Sequence, residues 1–171
     1  MINYDINYYE NLLRRYSKTA EDINKIRWDW VKEANAKTVL DYGCGCGWFR
    51  AYRNGATVDT YDVMDVPQTG ITRSEYDLVC FWDVLEHMRN LEKAEWIMGC
   101  ANYVAMTVPI KPDCIKLEDW KHYKPGEHVQ YFRDNELIYW MKCLGFRLLK
   151  LGEPECPPRQ DIHSFLFKGG K

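Results

Sequence analysis

The stretch TVLDYGCGCGWF, residues 38–49, decides the fold predicted for this chain. A short apolar run is followed by glycine at every second position, Gly43, Gly45 and Gly47. Glycine can adopt positive φ and lets the backbone approach a ligand closely, because it has no Cβ. In an open α/β sheet, ligands bind where the first strand turns into its helix. Glycines also serve tight packing turns, so this stretch alone leaves a binding loop and a structural turn both open.

Strand-like runs alternate with helical patterns along the rest of the chain. The runs rich in β-branched and aromatic residues are TVLDY (38–42), ATVDTYD (56–62), YDLVCFWD (76–83), NYVAMTVP (102–109), FRLLKLGE (146–153) and IHSFLFK (162–168). This alternation is typical of an α/β protein with a mostly parallel sheet of about six strands and helices on both faces. The turn-rich GEPECPPRQD between the last two runs indicates an antiparallel pair at the C-terminal edge.

Two helices are expected at the N-terminus. Residues 5–17 have a helical pattern, and Thr19 with Asp22 resembles a capping box that opens a second helix. We expect these helices, within residues 5–36, to cover the site. With 171 residues and 46% hydrophobic content, the chain predicts a single domain over residues 1–171.

Composition and charge limit which classes of partner and which cellular compartment we expect for this chain. The net charge is −2, with 23 basic and 25 acidic side chains interspersed, which argues against nucleic-acid and membrane-surface binding. No run approaches the roughly 20 apolar residues of a membrane span, and the N-terminus is too polar for a secretory signal. We therefore expect a cytoplasmic protein. Its seven cysteines lack paired CxxC spacing, which predicts reduced thiols and no metal site.

Acidic residues around the glycine stretch indicate the ligand class. Asp62 ends the run 56–62, 21 positions after Asp41, where a carboxylate commonly accepts both ribose hydroxyls, although Asp59 and Asp65 are close enough to compete for that role. Asp41 directly before the loop suits a ligand with an ammonium and a sulfonium better than a pyrophosphate. A nicotinamide-dependent oxidoreductase is the weaker alternative, because the third glycine at dinucleotide spacing is missing.

Three segments resemble the class I S-adenosylmethionine (SAM)-dependent methyltransferases. LDYGCGCGWF is similar to their first motif, and YDLVCFWDVLEHM resembles the end of their fourth strand. Its DVLEH form is found in small-molecule methyltransferases related to those of quinone biosynthesis. PGEHVQYFRDNELIYWMKCLGF resembles the stretch before that group's last helix. The resemblance covers about residues 38–150 and implies a Rossmann-like fold with S-adenosyl-L-methionine as the cofactor.

The resemblance also implies site residues. Asp41, Gly43 and Gly45 are expected at the methionine part of the cofactor, with Tyr42 and Cys44 as backbone neighbours. Asp62 with Val63 is expected at the ribose, and Trp82 with Asp83 is expected to flank the cofactor after the family's fourth strand. One departure concerns the sheet, because Tyr76 follows Asp62 by only 14 positions. The family usually inserts a helix and a third strand there, so we expect a sheet shortened between the family's strands 2 and 4.

Two histidines are candidates for catalysis. Transfer from a sulfonium mainly needs alignment of the acceptor, and a hydroxyl acceptor benefits from a general base. His87 follows Glu86 after the strand 76–83, and His128 ends the aromatic loop 116–128, which resembles a substrate lid. The competing interpretation is that His87 hydrogen-bonds to the backbone at the start of the following helix and that the loop histidines are solvated.

These observations predict a methyltransferase acting on a small metabolite or glycan-type acceptor by in-line transfer. The NPPY tetrad of amino-methyltransferases on DNA bases is missing, since TVPI stands at residues 107–110. The alternative is a catalytically inert module that binds SAM or a partner. The acceptor and the oligomeric state do not follow from the sequence.

Overall fold

The structure, a computed structural model, describes residues 6–53, 55–64, 66, 68–157 and 159–170, with side chains from residue 19 onward. Helices within these ranges are α1 (Ile6–Val31), α2 (Trp48–Ala51), α3 (Glu92–Gly99) and α4 (Asp134–Cys143). Strands are β1 (Thr38–Tyr42), β2 (Thr57–Tyr61), β3 (Tyr76–Trp82), β4 (Ala101–Pro109), β5 (Phe146–Gly152) and β6 (Ile162–Gly169). Single 3₁₀ turns occupy Lys32–Ala34, Leu85–His87 and Leu117–Asp119.

The six strands form one mixed sheet in the order β2-β1-β3-β4-β6-β5. The strands β2, β1, β3 and β4 are parallel, whereas β6 runs antiparallel between β4 and β5. The predicted α/β class, the Rossmann-like sheet and the antiparallel C-terminal pair are confirmed. Because the parallel strands end at the same edge, this arrangement brings the glycine stretch after β1 next to the segment after β3.

Both faces of the sheet are buried under helices, as the near-continuous apolar strands predict. One core layer, which includes α3 and α4, contains Leu40, Val79, Phe81, Met106, Ile97 and Met141. The opposite layer contains Val39, Leu78, Cys80, Ala105, Val31 and Phe49, from the strands, α1 and α2. The alternation of neighbours such as Val39 and Leu40 between the layers follows from the period of two in a strand.

The N-terminal region forms one helix, so the predicted pair of helices is wrong. The helix α1 runs without interruption through Thr19 and Asp22, and residue 5 lies outside the described residues. No glycine or proline stands between Ile6 and Val31, and a capping residue cannot end a helix that nothing else interrupts. No helix in the described part of the chain is long and apolar enough to cross a membrane.

The sheet is shortened as predicted, and β2 forms its edge. The described residues between β2 and β3 form neither a helix nor a strand. This segment nevertheless covers the edge, because Thr69 Oγ1 accepts a hydrogen bond from the Thr60 amide at 2.8 Å and the Gly70 amide donates to the Thr60 carbonyl at 3.0 Å. An irregular segment thus stands where the resemblance would place a helix and a third strand.

Candidate functional site

The glycine stretch forms a tight loop against the segment that follows β3. Gly43 has φ +80°, and its amide donates to the Tyr61 carbonyl at 2.7 Å. A Cβ on Gly43 would lie 2.4 Å from Val84 Cγ2, which is closer than atoms can approach. Gly45 also has positive φ, but a Cβ there would meet nothing within 4 Å. The first glycine therefore serves close packing, whereas the second borders open space.

Asp62 lies at the end of β2 and holds the glycine loop. Its Oδ2 accepts a hydrogen bond from the Gly45 amide at 2.7 Å, and its Oδ1 accepts one from the Met64 amide at 2.9 Å. Asp62 as a whole residue is 9% exposed, and the neighbouring Val63 is 78% exposed. Each carboxylate oxygen has a second lone pair, so both can still accept a hydroxyl group of a ligand.

Asp41, at the end of β1, is buried in the same corner of the sheet. Burial, together with the negative charge of Asp62, raises the pKa of Asp41 to about 7, although the positive charge of Arg27 opposes this shift. A carboxylate that is difficult to ionise here favours a cationic ligand, which would stabilise its charge. Burial also raises the pKa of the Cys44 thiol to about 12, so Cys44 is not a thiolate. The Tyr42 ring stacks on Tyr61 at 4.9 Å.

Trp82 belongs to an aromatic stack that α1 covers. The Trp28 ring of α1 stacks on Phe49 at 4.3 Å, and Phe49 packs against Trp82 at 5.3 Å. The Arg27 guanidinium lies 5.1 Å from the centre of the Trp82 ring. The indole Nε1 of Trp82 is buried and has no hydrogen-bond partner among the described residues. The stack thus leaves one buried donor at the carboxyl end of β3.

Asp83 forms a ring of ion pairs with three other charged side chains, Arg27, Arg159 and Glu155. Arg27 donates to Asp83 and to Glu155 at 2.7 Å each. Arg159 donates to both Asp83 oxygens at 2.9 Å and to Glu155 at 2.5 Å. Burial would raise the pKa of Asp83, but the charges of Arg159 and Arg27 hold it well below its usual range. We call this set the ion ring, and it joins α1, β3 and the segment between β5 and β6.

A second polar cluster, which we call the Glu86 cluster, consists of Glu86, His87 and His128. Each of these three side chains has one nitrogen or oxygen atom that lies within 4.8 Å of the corresponding atoms of the other two. The two imidazole rings meet edge to face at 4.8 Å. Burial and the charge of Asp83 raise the pKa of Glu86, and burial with the charge of His87 lowers the pKa of His128 to about 4. The two predicted histidines are therefore neighbours in space, although 41 positions separate them.

The aromatic loop is tied to the turn that carries Glu86. The amides of Val129 and Gln130 donate to the Glu86 carbonyl at 2.8 and 3.1 Å. His87 Nδ1 bonds to the Glu127 carbonyl at 3.1 Å, so this backbone contact is with the aromatic loop and not with the start of a helix. His122 lies outside the cluster and contacts the Gln160 carbonyl at 3.1 Å through Nε2.

Sequence reasoning missed four charged residues of this region. No recognisable motif contains Arg27, Glu155 or Arg159, and Arg27 lies 128 positions from Glu155 and 56 from Asp83. Glu86 was noted only as a neighbour of His87. Its position four residues after the end of a strand buried on both faces is the signal that could have marked it, since buried carboxylates are uncommon without a partner.

A cavity of about 460 Å³ lies beyond the end of β4, within the size range of small-molecule sites. Its lining includes the charged residues Lys111, Asp113, Arg133, Asp134 and Asp161, together with His163. None of the predicted site residues lines it. The predicted cofactor and catalytic residues thus gather at the ends of β1, β2 and β3, on a different part of the same sheet.

Comparison with known proteins places these features in context. A family model described as "Methyltransferase domain" matches residues 8–151. No curated protein matches the chain.

Several solved structures share the fold. Magnesium protoporphyrin IX methyltransferase from Synechocystis PCC 6803, with bound SAH, is 14% identical, with a TM-score of 0.70 and coverage of 98% of this chain and 96% of that chain. A SAM-dependent methyltransferase from Archaeoglobus fulgidus is 15% identical, with a TM-score of 0.67 and coverage of 94% and 99%. A putative O-methyltransferase from Nostoc punctiforme PCC 73102 is 12% identical, with a TM-score of 0.66 and coverage of 94% and 59%.

Proposed function

Because the chain belongs to the methyltransferase-domain family, whose model matches residues 8–151, we propose that it is an enzyme that methylates a small-molecule acceptor. The cofactor of this family is S-adenosyl-L-methionine. The observation that carries the proposal is the loop after β1, where Asp62 binds the Gly45 amide beside the buried Asp41. We further propose that residues 1–171 form a single domain whose N-terminal region, residues 5–36, covers the site.

The residues at the loop fit the cofactor. Gly45 borders open space, Asp41 lacks a full counter-charge, and Trp82 carries a buried donor without a partner. The residues that we assign to the cofactor are Asp41, Gly43 and Gly45 at the methionine part with the backbone of Tyr42 and Cys44, Asp62 and Val63 at the ribose, and Trp82 with Asp83 at the border toward the acceptor. The ion ring that holds Asp83 makes it a positioning residue in this proposal.

When bound, SAM supplies a methyl group already activated on a positively charged sulfur. The chain therefore has to align the acceptor atom with that methyl group and exclude water. The cofactor would supply the methyl group, and the chain would supply its alignment with a lone pair of the acceptor. The described residues suited to hold the acceptor are His87 and His128, since their cluster follows Val84, which contacts Gly43 of the cofactor loop. We propose these two histidines as the catalytic residues.

The acceptor that we propose is a small metabolite or glycan-type molecule. The match of DVLEH at residues 83–87 supports the small-molecule branch related to quinone biosynthesis. The interspersed charges and the net charge of −2 argue against a nucleic-acid acceptor.

Calorimetric titration with SAM and with its demethylated product tests the cofactor assignment. We expect binding of both to the unmodified chain and a loss of most binding in Asp62→Ala, because that variant removes the acceptor of the Gly45 amide. Ser74→Ala, a substitution at an exposed position outside the loop, should bind normally. Absence of binding to a folded sample would overturn the proposal.

The second candidate function is an inert module that binds SAM or a partner without turnover. The irregular segment between β2 and β3 favours it, because that segment replaces a helix and a strand of the family on the adenine side. Incubation with methyl-labelled SAM and pools of small hydroxylated acceptors separates the two candidates. Label transfer to any acceptor excludes the inert module.

A further inference from the structure

We propose that Glu86, His87 and His128 form a binding site for one divalent transition-metal cation. One oxygen and two imidazole nitrogens lie within 4.8 Å of one another, at the end of β3 and in the aromatic loop. In a metal site with bonds of about 2 Å, such ligand atoms stand roughly 3–3.5 Å apart. A contraction of about 1 Å, within reach of side-chain rotation, would therefore close the cluster around a cation.

Two atoms of the cluster lack a partner. Glu86 Oε2 and His128 Nδ1 are buried without a hydrogen-bond partner among the described residues, and their side chains belong to residues only 2% and 5% exposed. Burying a polar atom without a partner is costly, so native proteins rarely keep such atoms. A cation bound by both atoms would satisfy both lone pairs at once.

The third ligand is already oriented. His87 Nδ1 lies 3.1 Å from the Glu127 carbonyl, and a carbonyl can only accept, so Nδ1 carries the hydrogen. The lone pair of the neutral ring is then on Nε2, which lies 3.9 Å from Glu86 Oε1. Metal-binding histidines commonly donate their other N–H to a carbonyl in this way. The bonds from Val129 and Gln130 to the Glu86 carbonyl fix the loop and the turn relative to each other.

The donor set indicates the class of metal. Two imidazoles and one carboxylate favour Zn²⁺, Co²⁺, Fe²⁺ or Mn²⁺, whereas Mg²⁺ and Ca²⁺ prefer all-oxygen sites. Three protein ligands leave at least one position open, as in catalytic sites rather than structural ones.

The role that we assign to the open coordination position of the cation rests on the proposed methyltransferase function. An acceptor hydroxyl bound there loses its proton more easily, and that proton passes to solvent. The resulting oxygen donates a lone pair to the methyl carbon, the carbon–sulfur pair moves onto sulfur, and the cation keeps its oxidation state. The cation would thus hold the acceptor in line with the methyl group.

Cobalt titration of the full chain, stripped of metal with a chelator, tests the site directly. We expect visible d–d absorption that saturates at one Co²⁺ per chain and disappears when Zn²⁺ is added. Glu86→Gln and His128→Asn should each weaken Co²⁺ binding by at least about tenfold. The matched control is His122→Asn, a loop histidine outside the cluster, which should bind Co²⁺ normally.

Two results would overturn the site: no saturable d–d absorption, or equal Co²⁺ affinity in His128→Asn and the unmodified chain. Thiolate-to-cobalt charge-transfer bands would also count against it, because they report cysteine ligands. Circular dichroism and SAM titration of each variant verify that it is folded. Co²⁺ binding without methyl transfer would support the metal site and contradict the proposed function. Methyl transfer that survives chelation, in a chain that does not bind Co²⁺, would support the proposed function and contradict the metal site.

Discussion

At the scale of single residues, Asp41 shows how burial prepares a site for a charged ligand. The carboxyl is buried near Asp62, and the positive charge of Arg27 outweighs the repulsion between the two acids but does not offset the effect of burial. A cationic ligand would remove this penalty, so ligand binding and ionisation of Asp41 are coupled.

We predict that SAM binding releases protons at pH 6, because Asp41 is mostly protonated below its pKa of about 7 and a cation favours its ionised form. Affinity should therefore rise between pH 6 and pH 8. Calorimetry in buffers of different ionisation enthalpy measures the released protons. In Asp41→Asn, the Asp41 contribution to this release should disappear, and an unchanged release would contradict the assignment.

The same residue predicts a pH dependence of stability without ligand. The folded-state pKa of Asp41 is raised above the ordinary value of 3.8, so the folded chain binds the extra proton and loses stability as pH rises from about 4 to about 7. Asp41→Asn should raise the free energy of unfolding at pH 8 by about 1–3 kcal/mol. Urea unfolding at pH 5 and pH 8 checks this, and an equal effect at both values would count against it.

Gly43 and Gly45 show two different reasons for having glycine in a loop: close packing at Gly43, and a positive φ without close packing at Gly45. Both have positive φ, but only at Gly43 would a Cβ collide with Val84. Gly43→Ala should therefore lower the free energy of unfolding by about 1–3 kcal/mol more than Gly45→Ala does. Thermal or urea unfolding measures the difference. Adding Val84→Ala should recover part of the loss at Gly43 and none at Gly45.

At the scale of elements, the ion ring joins three parts of the chain that share no local motif. Arg27 lies in α1, Asp83 follows β3, and Glu155 and Arg159 lie between β5 and β6. Glu155 is fully covered, so its carboxylate depends on both arginines. The ring therefore fixes α1 over the carboxyl end of β3, which is where the aromatic stack and the proposed cofactor meet.

Removing one charge tests how much the ion ring contributes to the free energy of unfolding. Glu155→Gln leaves two arginines around a single acid, and breaking buried pairs of this kind costs about 3–5 kcal/mol. Because Arg159 is one quarter exposed, we expect a smaller loss of about 2–4 kcal/mol in urea unfolding. Asp29→Asn, which removes an exposed pair with Lys32, should change stability by under about 0.5 kcal/mol. Similar losses in both variants would contradict a structural role of the ring.

The elements also show what local sequence can predict. Strand runs, the turn at Gly43 and the clustering of strand ends follow from period-two patterns and parallel topology, so they were predictable. The continuous α1 was not, because Thr19 is a good capping residue that the uninterrupted helix does not use. The partners of Asp83 were not predictable either, since Arg27 and Arg159 lie 56 and 76 positions away.

At the scale of the whole molecule, loss of a strand leaves β2 as an edge that must be protected. Unpaired edges are templates for association with other chains. Here Thr69 and Gly70 satisfy the backbone of Thr60, and Asp59 anchors the following residues. Its Oδ2 accepts bonds from Thr72, from Arg73 at 2.7 Å and from the Tyr76 hydroxyl at 2.8 Å.

A single substitution should therefore expose the edge. Asp59→Asn replaces the carboxylate with a neutral amide, so the three donors lose the charged oxygen that they share. The ion pair with Arg73 is also lost. We expect faster hydrogen exchange in residues 57–61 and concentration-dependent association in light scattering, with β3 and β4 still protected because they lie inside the sheet. Ser74→Ala, in the same segment but exposed, should match the unmodified chain. If exchange in residues 57–61 stayed slow in Asp59→Asn, other contacts would have to hold the segment, and Asp59 would not be the residue that compensates for the missing strand.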